Sequence, residues 1–345
     1  MNEKQAMSEI IGNEALKRRL CRDIMSETLS HAYIIEGPAG SGKHTLAIMA
    51  AAALACECKD DMSKPLPCLS CLSCKKILEK KSPDVIIYGT EGKASIGVDI
   101  ARFLKESVHI LPNDLEQKIY IIEDADKMTP QAQNAILLTL EEPPSFVHFF
   151  LLCTNASLLL ETIRSRAITL RTEPVTDEQI DSYVSSHDRR AAQMKLASPD
   201  EYYQLIKASD GGIGKALDFL EPKRWKPVKD NRTLVDNFVH MAVERKDAKT
   251  LIPVMLGFSP KRDALQEQLL LLSSAVRDLI LLKKSETAHL CFYHDTDSAI
   301  ELCDKVSLST LFTLEKAITD AIDENKRNAN VKLMLTKMLI SAQLI

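Results

Sequence analysis

The chain has 345 residues, of which 45% are hydrophobic and 27% charged, with a formal net charge of −4. That balance excludes a disordered chain, a coiled coil and a strongly basic whole-protein footprint for nucleic acid, leaving any DNA contact local or made by partners, and the length predicts two or three domains. The longest run without a polar residue, Leu46 to Cys56, is eleven residues and too short to span a bilayer. Met1-Asn2-Glu3-Lys4-Gln5 lacks the apolar core of a signal peptide, so a cytoplasmic protein is expected.

In chain order, the first 171 residues alternate strand-like runs with helical patterns. Ala32–Glu36, Val85–Tyr88, Ile119–Glu123, Phe149–Thr154 and Ile168–Arg171 are short and rich in β-branched or aromatic residues. Strands buried on both faces read this way, which predicts a parallel sheet covered by helices. Thr129-Pro130 opens a helix, with Thr as N-cap and Pro at the first helical position, and Glu141-Glu142-Pro143-Pro144 ends it. Past Thr172 the strand signal fades. Residues 176–221 read as short helices, and Glu221-Pro222-Lys223-Arg224-Trp225-Lys226-Pro227 reads as a linker. Helices follow over Thr233–Arg245, Lys261–Lys284, Ser307–Asn325 and Val331–Leu344, the last capped by Asn328 or Asn330. Their apolar stripes predict a helical-bundle core.

Gly37-Pro38-Ala39-Gly40-Ser41-Gly42-Lys43 follows a strand and opens an alanine-rich helix, the context a phosphate loop requires. Its glycines let backbone N–H groups face an anion, and Lys43 would reach the β and γ phosphates. The next position should be Ser or Thr, to ligate Mg²⁺, but it is His44. Thr45, one place later, is rotated by about 100° around a helix and should not replace the missing ligand. Weak or inert nucleotide binding is expected, with ATP and Mg²⁺ weak or absent in this chain.

Cys68, Cys71 and Cys74 form a Cys-x-x-Cys-x-x-Cys run, with Cys56 or Cys58 upstream as a fourth ligand. Four thiolates close a tetrahedral structural Zn²⁺ site with no open position. An Fe–S cluster is the competing ligation. In a reducing cytosol such a cluster favours metal over disulfides. Further on, Lys118-Ile119-Tyr120-Ile121-Ile122-Glu123-Asp124-Ala125-Asp126 is an apolar strand ending in carboxylates. Such a strand can place one carboxylate on Mg²⁺ and one on the attacking water.

These motifs, in this order, resemble the clamp-loader branch of the AAA+ ATPases, and within it the delta-prime subunit family of bacterial DNA polymerase III. The resemblance is carried by Ile10-Ile11-Gly12-Asn13-Glu14, His31-Ala32-Tyr33, the phosphate loop and the cysteine insert. It continues through Gly97-Val98-Asp99-Ile100 with Arg102, Ala135-Ile136-Leu137-Leu138-Thr139-Leu140-Glu141-Glu142-Pro143-Pro144 and Arg164-Ser165-Arg166. It implies an α/β Rossmann-like AAA+ module with a small helical lid and an all-α C-terminal collar domain. The expected spans are 1–171 for the module, with the zinc insert at 56–74, then 172–222 for the lid and 223–345 for the collar. Leu54-Ala55-Cys56-Glu57 resembles the family's first zinc ligand, which favours Cys56 over Cys58.

Three departures set the chain apart from the motor subunits gamma and tau. His44 stands where they carry Thr, Glu123-Asp124 reverses their Asp-Glu order, and Gly214 stands where they carry a phosphate-sensing Arg. The resemblance therefore implies a stator that assembles with gamma or tau and delta to load the sliding clamp on primed DNA. It would have no intrinsic ATPase and would belong to the DNA-directed DNA polymerase holoenzyme by association. Arg166 matches the family's arginine finger, donated in trans to a neighbour's ATP, with Arg164 as the weaker candidate. Ala167 replaces the Cys of the family's Ser-Arg-Cys. Thr154 and Asn155 occupy the sensor-1 position, and Gly37, Gly40, Gly42, Lys43, Thr45, Glu123 and Asp124 are the vestigial nucleotide-binding set. The alternatives are an active gamma/tau-like ATPase motor and a zinc-containing interaction protein on an AAA+ scaffold.

Overall fold

The computed structural model describes residues 7, 9–90, 95–244, 248–284, 290–293 and 296–344. Met1–Gln5 and Arg245 lie outside them. Five strands, β1 (Ala32–Glu36), β2 (Val85–Tyr88), β3 (Lys118–Ile122), β4 (Val147–Cys153) and β5 (Ile168–Arg171), form one sheet in the order β2-β3-β4-β1-β5. Every pairing is parallel, with Ala32 opposite Phe149, Tyr33 opposite Ile168, Val85 opposite Ile119 and Lys118 opposite Val147.

The helices are α1 (Glu14–Met25), α2 (Lys43–Leu54), α3 (Leu72–Leu78), α4 (Asp99–Ser107), α5 (Pro130–Glu141), α6 (Glu161–Arg164), α7 (Asp177–His187) and α8 (Arg189–Ala197). They continue as α9 (Pro199–Ala208), α10 (Ile213–Phe219), α11 (Pro222–Val243), α12 (Ala248–Met255), α13 (Arg262–Leu282), α14 (Thr296–Asp304), α15 (Leu308–Lys326) and α16 (Val331–Ser341). The chain divides into two compact units, residues 1–183 with 211–215, and residues 184–210 with 216–345.

In the first unit the period of two along each strand feeds two cores. Tyr33, Ile35, Ile121, Phe150 and Leu152 pack with residues of α1 and α2 on one face. Ala32, Ile34, Tyr120, Ile122, Phe149 and Leu151 pack with residues of α4 and α5 on the other. The start of β2 is held by Asp84, whose carboxylate accepts the backbone N–H groups of Asn113 (2.7 Å), Asp114 (2.7 Å) and Leu115 (2.9 Å). Burial pushes its pKa up, but these three donors outweigh that and leave it lowered. Thr129 caps α5 by accepting from Ala132 N, as its Thr-Pro start predicts.

Among the described residues the regular elements of the second unit are helices, around a core that includes Phe238, Leu265, Leu272, Leu279, Leu314, Ile318 and Leu339. Here the linker reading fails: residues 222–227 are the first turns of α11. Pro222 sits at the helix start, where its missing N–H costs nothing. Trp225 is buried and its Nε1 donates to Glu201 Oε1 at 2.8 Å, an oxygen that Lys229 also reaches at 2.8 Å. These anchors hold the helix through Pro227. Asn330, not Asn328, caps α16 by accepting from Leu333 N at 3.2 Å. Asn328 instead takes a left-handed φ of 65° after α15. Among the described residues no helix is long and apolar enough to cross a membrane.

A candidate phosphate site and a four-cysteine cluster

The loop of residues 37–42 joins the end of β1 to the start of α2, at the carboxyl edge of the sheet, where open α/β sheets bind ligands. Gly40 and Gly42 have φ of 81° and 82°, conformations that glycine adopts without a Cβ penalty. A Cβ on Gly37 would lie 1.8 Å from Thr172 Oγ1, which is hydrogen-bonded to Ser41 Oγ at 2.8 Å. Lys43 Nζ donates to the carbonyls of Gly37 (2.7 Å) and Pro38 (2.8 Å). Burial lowers the Lys43 pKa and nearby Lys215 adds to that, against Cys153, Asp126 and Asp124.

The metal position is built differently from a Walker site. His44 Nδ1 lies 2.5 Å from Glu123 Oε1, at the end of β3. That contact is the chief cause of a lowered Glu123 pKa. Asp124 has a left-handed φ of 51° and its carboxylate accepts from Thr90 Oγ1 at 3.0 Å and pairs with Lys127 at 3.3 Å. Thr45 is exposed. One carboxylate at this strand end thus faces an imidazole and the other is turned to Thr90.

At the end of β4, Thr154 is tied to Asp126 through its backbone N–H at 2.9 Å and through its hydroxyl, and Asn155 N also donates to Asp126 at 3.3 Å. Glu36 accepts from Ala156 N at 2.9 Å and from Arg171 Nε at 2.7 Å, and the Ala156 bond is the largest cause of its lowered pKa. Asp126, Thr90 and Glu36 are architectural residues the sequence reading did not single out. Asp126 was legible as the third carboxylate of the acidic strand end.

Arg166 follows α6. Its Nη2 pairs with Glu141 Oε1 at 2.6 Å, and its Nη1 donates to the Thr162 carbonyl at 2.8 Å. Both charged side chains stay about a third exposed, 34% for Arg166 and 40% for Glu141. Arg164 is exposed. Gly214 places no side chain over the loop, but its neighbour Lys215 does: a Cβ on Gly40 would lie 3.1 Å from Lys215 Cγ. Lys215 directly follows Gly214 in the sequence, so its signal was a lysine beside the expected arginine position.

The cysteines divide clearly. The Sγ atoms of Cys56, Cys68, Cys71 and Cys74 all lie within 4.8 Å of one another. Zinc with Zn–S of about 2.3 Å needs tetrahedral S–S spacings of about 3.8 Å, which this group can reach by small side-chain rotations. Cys58 is outside the group, with Lys64 Nζ at 3.4 Å from its sulfur. Burial pushes Cys68 up, but donors led by the Ser70 hydroxyl bring it down to about 5, while burial raises Cys74. Cys71 also caps α3, accepting from Cys74 N at 3.4 Å. An all-thiol set of this kind fits structural zinc.

Residues 12–176 match the family described as "DNA polymerase III, delta subunit". That match spans just under half of the chain and says what these residues are similar to. Relatives of the chain include the DNA polymerase III subunit tau of Bacillus subtilis (strain 168), 30% identical over 220 residues. That alignment covers 63% of this chain and 37% of the relative, so the chain spans little more than a third of it. The DNA polymerase III subunit gamma of Buchnera aphidicola subsp. Baizongia pistaciae is 23% identical over 330 residues, 95% of this chain and 83% of the relative. A gamma subunit-related protein of Thermotoga maritima superposes with a TM-score of 0.42 at 20% identity, covering 94% of this chain and 98% of that one.

Proposed function

We propose that this chain is a delta-prime-type stator of a DNA polymerase III clamp loader, in the cytoplasm. It would assemble with gamma or tau and delta, help load the sliding clamp on primed DNA, and donate Arg166 to a neighbour's ATP. The observation that carries this reading is the combination at the phosphate loop: His44 and Glu123 bonded to each other, Asp124 turned to Thr90, and no arginine at position 214. A motor subunit needs a magnesium-bound nucleotide, a positioned water and a phosphate-sensing arginine; His44, the turn of Asp124 to Thr90 and Gly214 weigh against that role. The proposed roles divide by span: a nucleotide-type module over 1–171, a lid over 172–222 and a collar over 223–345 that joins the other subunits.

Arg166 would act as a fixed positive charge against the developing charge on the transferring phosphoryl group. Such a finger contributes roughly 10³–10⁵ in rate, or about 4–7 kcal/mol. Cys56, Cys68, Cys71 and Cys74 would hold a structural Zn²⁺ that staples the insert and takes no part in chemistry. DNA would be met through phosphates inside the assembled loader, where sequence is not read.

The test is the DNA-stimulated ATPase of a loader reconstituted from gamma or tau, delta and this chain. Wild type should stimulate turnover, and the assembled Arg166→Ala loader should lose most of it. Normal turnover by the assembled mutant loader would remove the finger role. The second reading, an active motor, is favoured by relatives named gamma and tau. It requires Mg²⁺-dependent ATP hydrolysis by the isolated chain.

A further inference from the structure

The phosphate loop is intact in its backbone, yet the position next to it that should hold Mg²⁺ is closed by a side-chain pair. His44 Nδ1 and Glu123 Oε1 stand 2.5 Å apart, joining the first turn of α2 to the end of β3. These are the two places from which a Walker site draws its metal contacts, a hydroxyl after the lysine and a carboxylate at the strand end. Here they satisfy each other. Asp124 is occupied by Thr90 and Lys127.

Removing the metal changes the charge that a phosphate chain must meet. A magnesium ion supplies two positive charges to the β and γ oxygens, and a metal-free di- or triphosphate needs them from the protein. Two lysines border the loop here. Lys43 sits in the loop, its ammonium held on the carbonyls of Gly37 and Pro38. Lys215 comes from the residues after Gly211, a left-handed glycine (φ 76°) whose carbonyl accepts from Val175 N at 3.1 Å, and it lies across Gly40. Burial does most of the lowering of the Lys43 pKa, and the like charge of nearby Lys215 adds a small part. An anion between them relieves that repulsion, and the amides opening α2 add their dipoles.

We infer that this chain binds a di- or triphosphate group without magnesium, with the His44–Glu123 pair in the metal's place and Lys215 as the second phosphate-facing cation. The inference rests on reading residues 37–43 as a phosphate loop and is independent of the finger role of Arg166. The ligand chemistry is a phosphate chain, and its sources are a nucleoside di- or triphosphate or free pyrophosphate.

The experiment is calorimetric titration of the full chain with ADP, ATP and pyrophosphate, each in excess EDTA and again in millimolar MgCl₂. Affinity in EDTA should equal or exceed that in magnesium. Lys215→Ala should weaken binding by about tenfold or more, and Lys215→Arg should retain it. His44→Thr, which frees Glu123, should make binding tighter in magnesium than in EDTA. Preference of ADP and ATP over pyrophosphate would name a nucleotide, and equal binding would name the bare phosphate chain; either result supports the site. Wild-type binding that requires magnesium would overturn the inference. So would absence of binding in both media, or a folded Lys215→Ala chain that binds as tightly as wild type. None of these outcomes changes the Arg166→Ala result in the loader, so the two readings fail separately.

Discussion

Glu141→Gln is the substitution that best separates a parked arginine finger from a working one. Arg166 is held by the Glu141 carboxylate at 2.6 Å and by the Thr162 carbonyl at 2.8 Å. To reach a phosphate on a neighbouring subunit the guanidinium must leave Glu141. The pair is more than a third solvent-exposed on the Glu141 side and about a third on the other, so it belongs with surface ion pairs worth about 0.2–1 kcal/mol. Removing that cost raises the population of released finger by roughly 1.4- to 5-fold, by the ordinary exponential of energy over RT. The finger's own contribution, about 4–7 kcal/mol, is several times larger. A glutamine keeps the shape and one acceptor while deleting the charge. The assay is steady-state ATP turnover of the reconstituted loader at saturating primed DNA and at low salt, where the pair is strongest. Glu141→Gln should raise turnover by a few-fold, and the gain should shrink as salt rises. A fall in turnover of the size caused by Arg166→Ala would refute the reasoning, because Glu141 would then be holding the finger in its working pose.

Two further outcomes are expected. Metal analysis of protein purified from zinc-replete cells should give about one zinc per chain, lost in Cys56→Ser and retained in Cys58→Ser; loss in Cys58→Ser alone would assign the fourth ligand wrongly. Asp84→Asn should destabilise the first unit by about 3 kcal/mol in urea unfolding, since three N–H donors lose a charged acceptor. The Asp84 pKa is lowered on folding, so its contribution is present above the unfolded carboxylate value of about 3.9 and is lost as pH falls below it. Wild type should therefore lose stability on acidification through that window, and Asp84→Asn should lose less.

The sheet was legible because β1, β3 and β4 are buried on both faces and β2 is half-buried, so Val85–Tyr88 and Phe149–Cys153 announce themselves as unbroken apolar runs; β5 exposes Thr169 and Arg171. The phosphate loop and α5 were legible because glycine spacing and a Thr-Pro start are local signals. The start of α11 was not, since two prolines and three basic residues within seven positions look like a loop until Trp225 is seen buried against Glu201. Helix α12, eight residues long and containing Pro253, and α14, nine residues long, were too short to stand out as helical runs. At the site, the residue types were readable and their pairings were not. His44 and Glu123 are 79 positions apart, and Arg166 and Glu141 meet only because α5 and α6 come together. Lys215 reaches the loop only because the chain turns at Gly211 against Pro174. Pairings of this kind are set by the fold, and nothing within a single motif encodes them.

Helix α2 begins at Lys43 and ends at Leu54, and Cys56 stands two residues beyond its end. Ala50, Ala51, Ala52 and Ala53 are fully buried, and the Ala52 carbonyl accepts from Cys74 Sγ at 3.5 Å. The helix is therefore a rod of about 18 Å, at 1.5 Å per residue, with the phosphate loop at one tip and the cysteine cluster at the other. Its methyl-only flank leaves neighbouring backbone too close for the rod to roll or bend independently. Whatever fixes the four sulfurs at the far tip also sets the tilt with which the loop presents its amides. The two sites, remote in chemistry, are mechanically one lever.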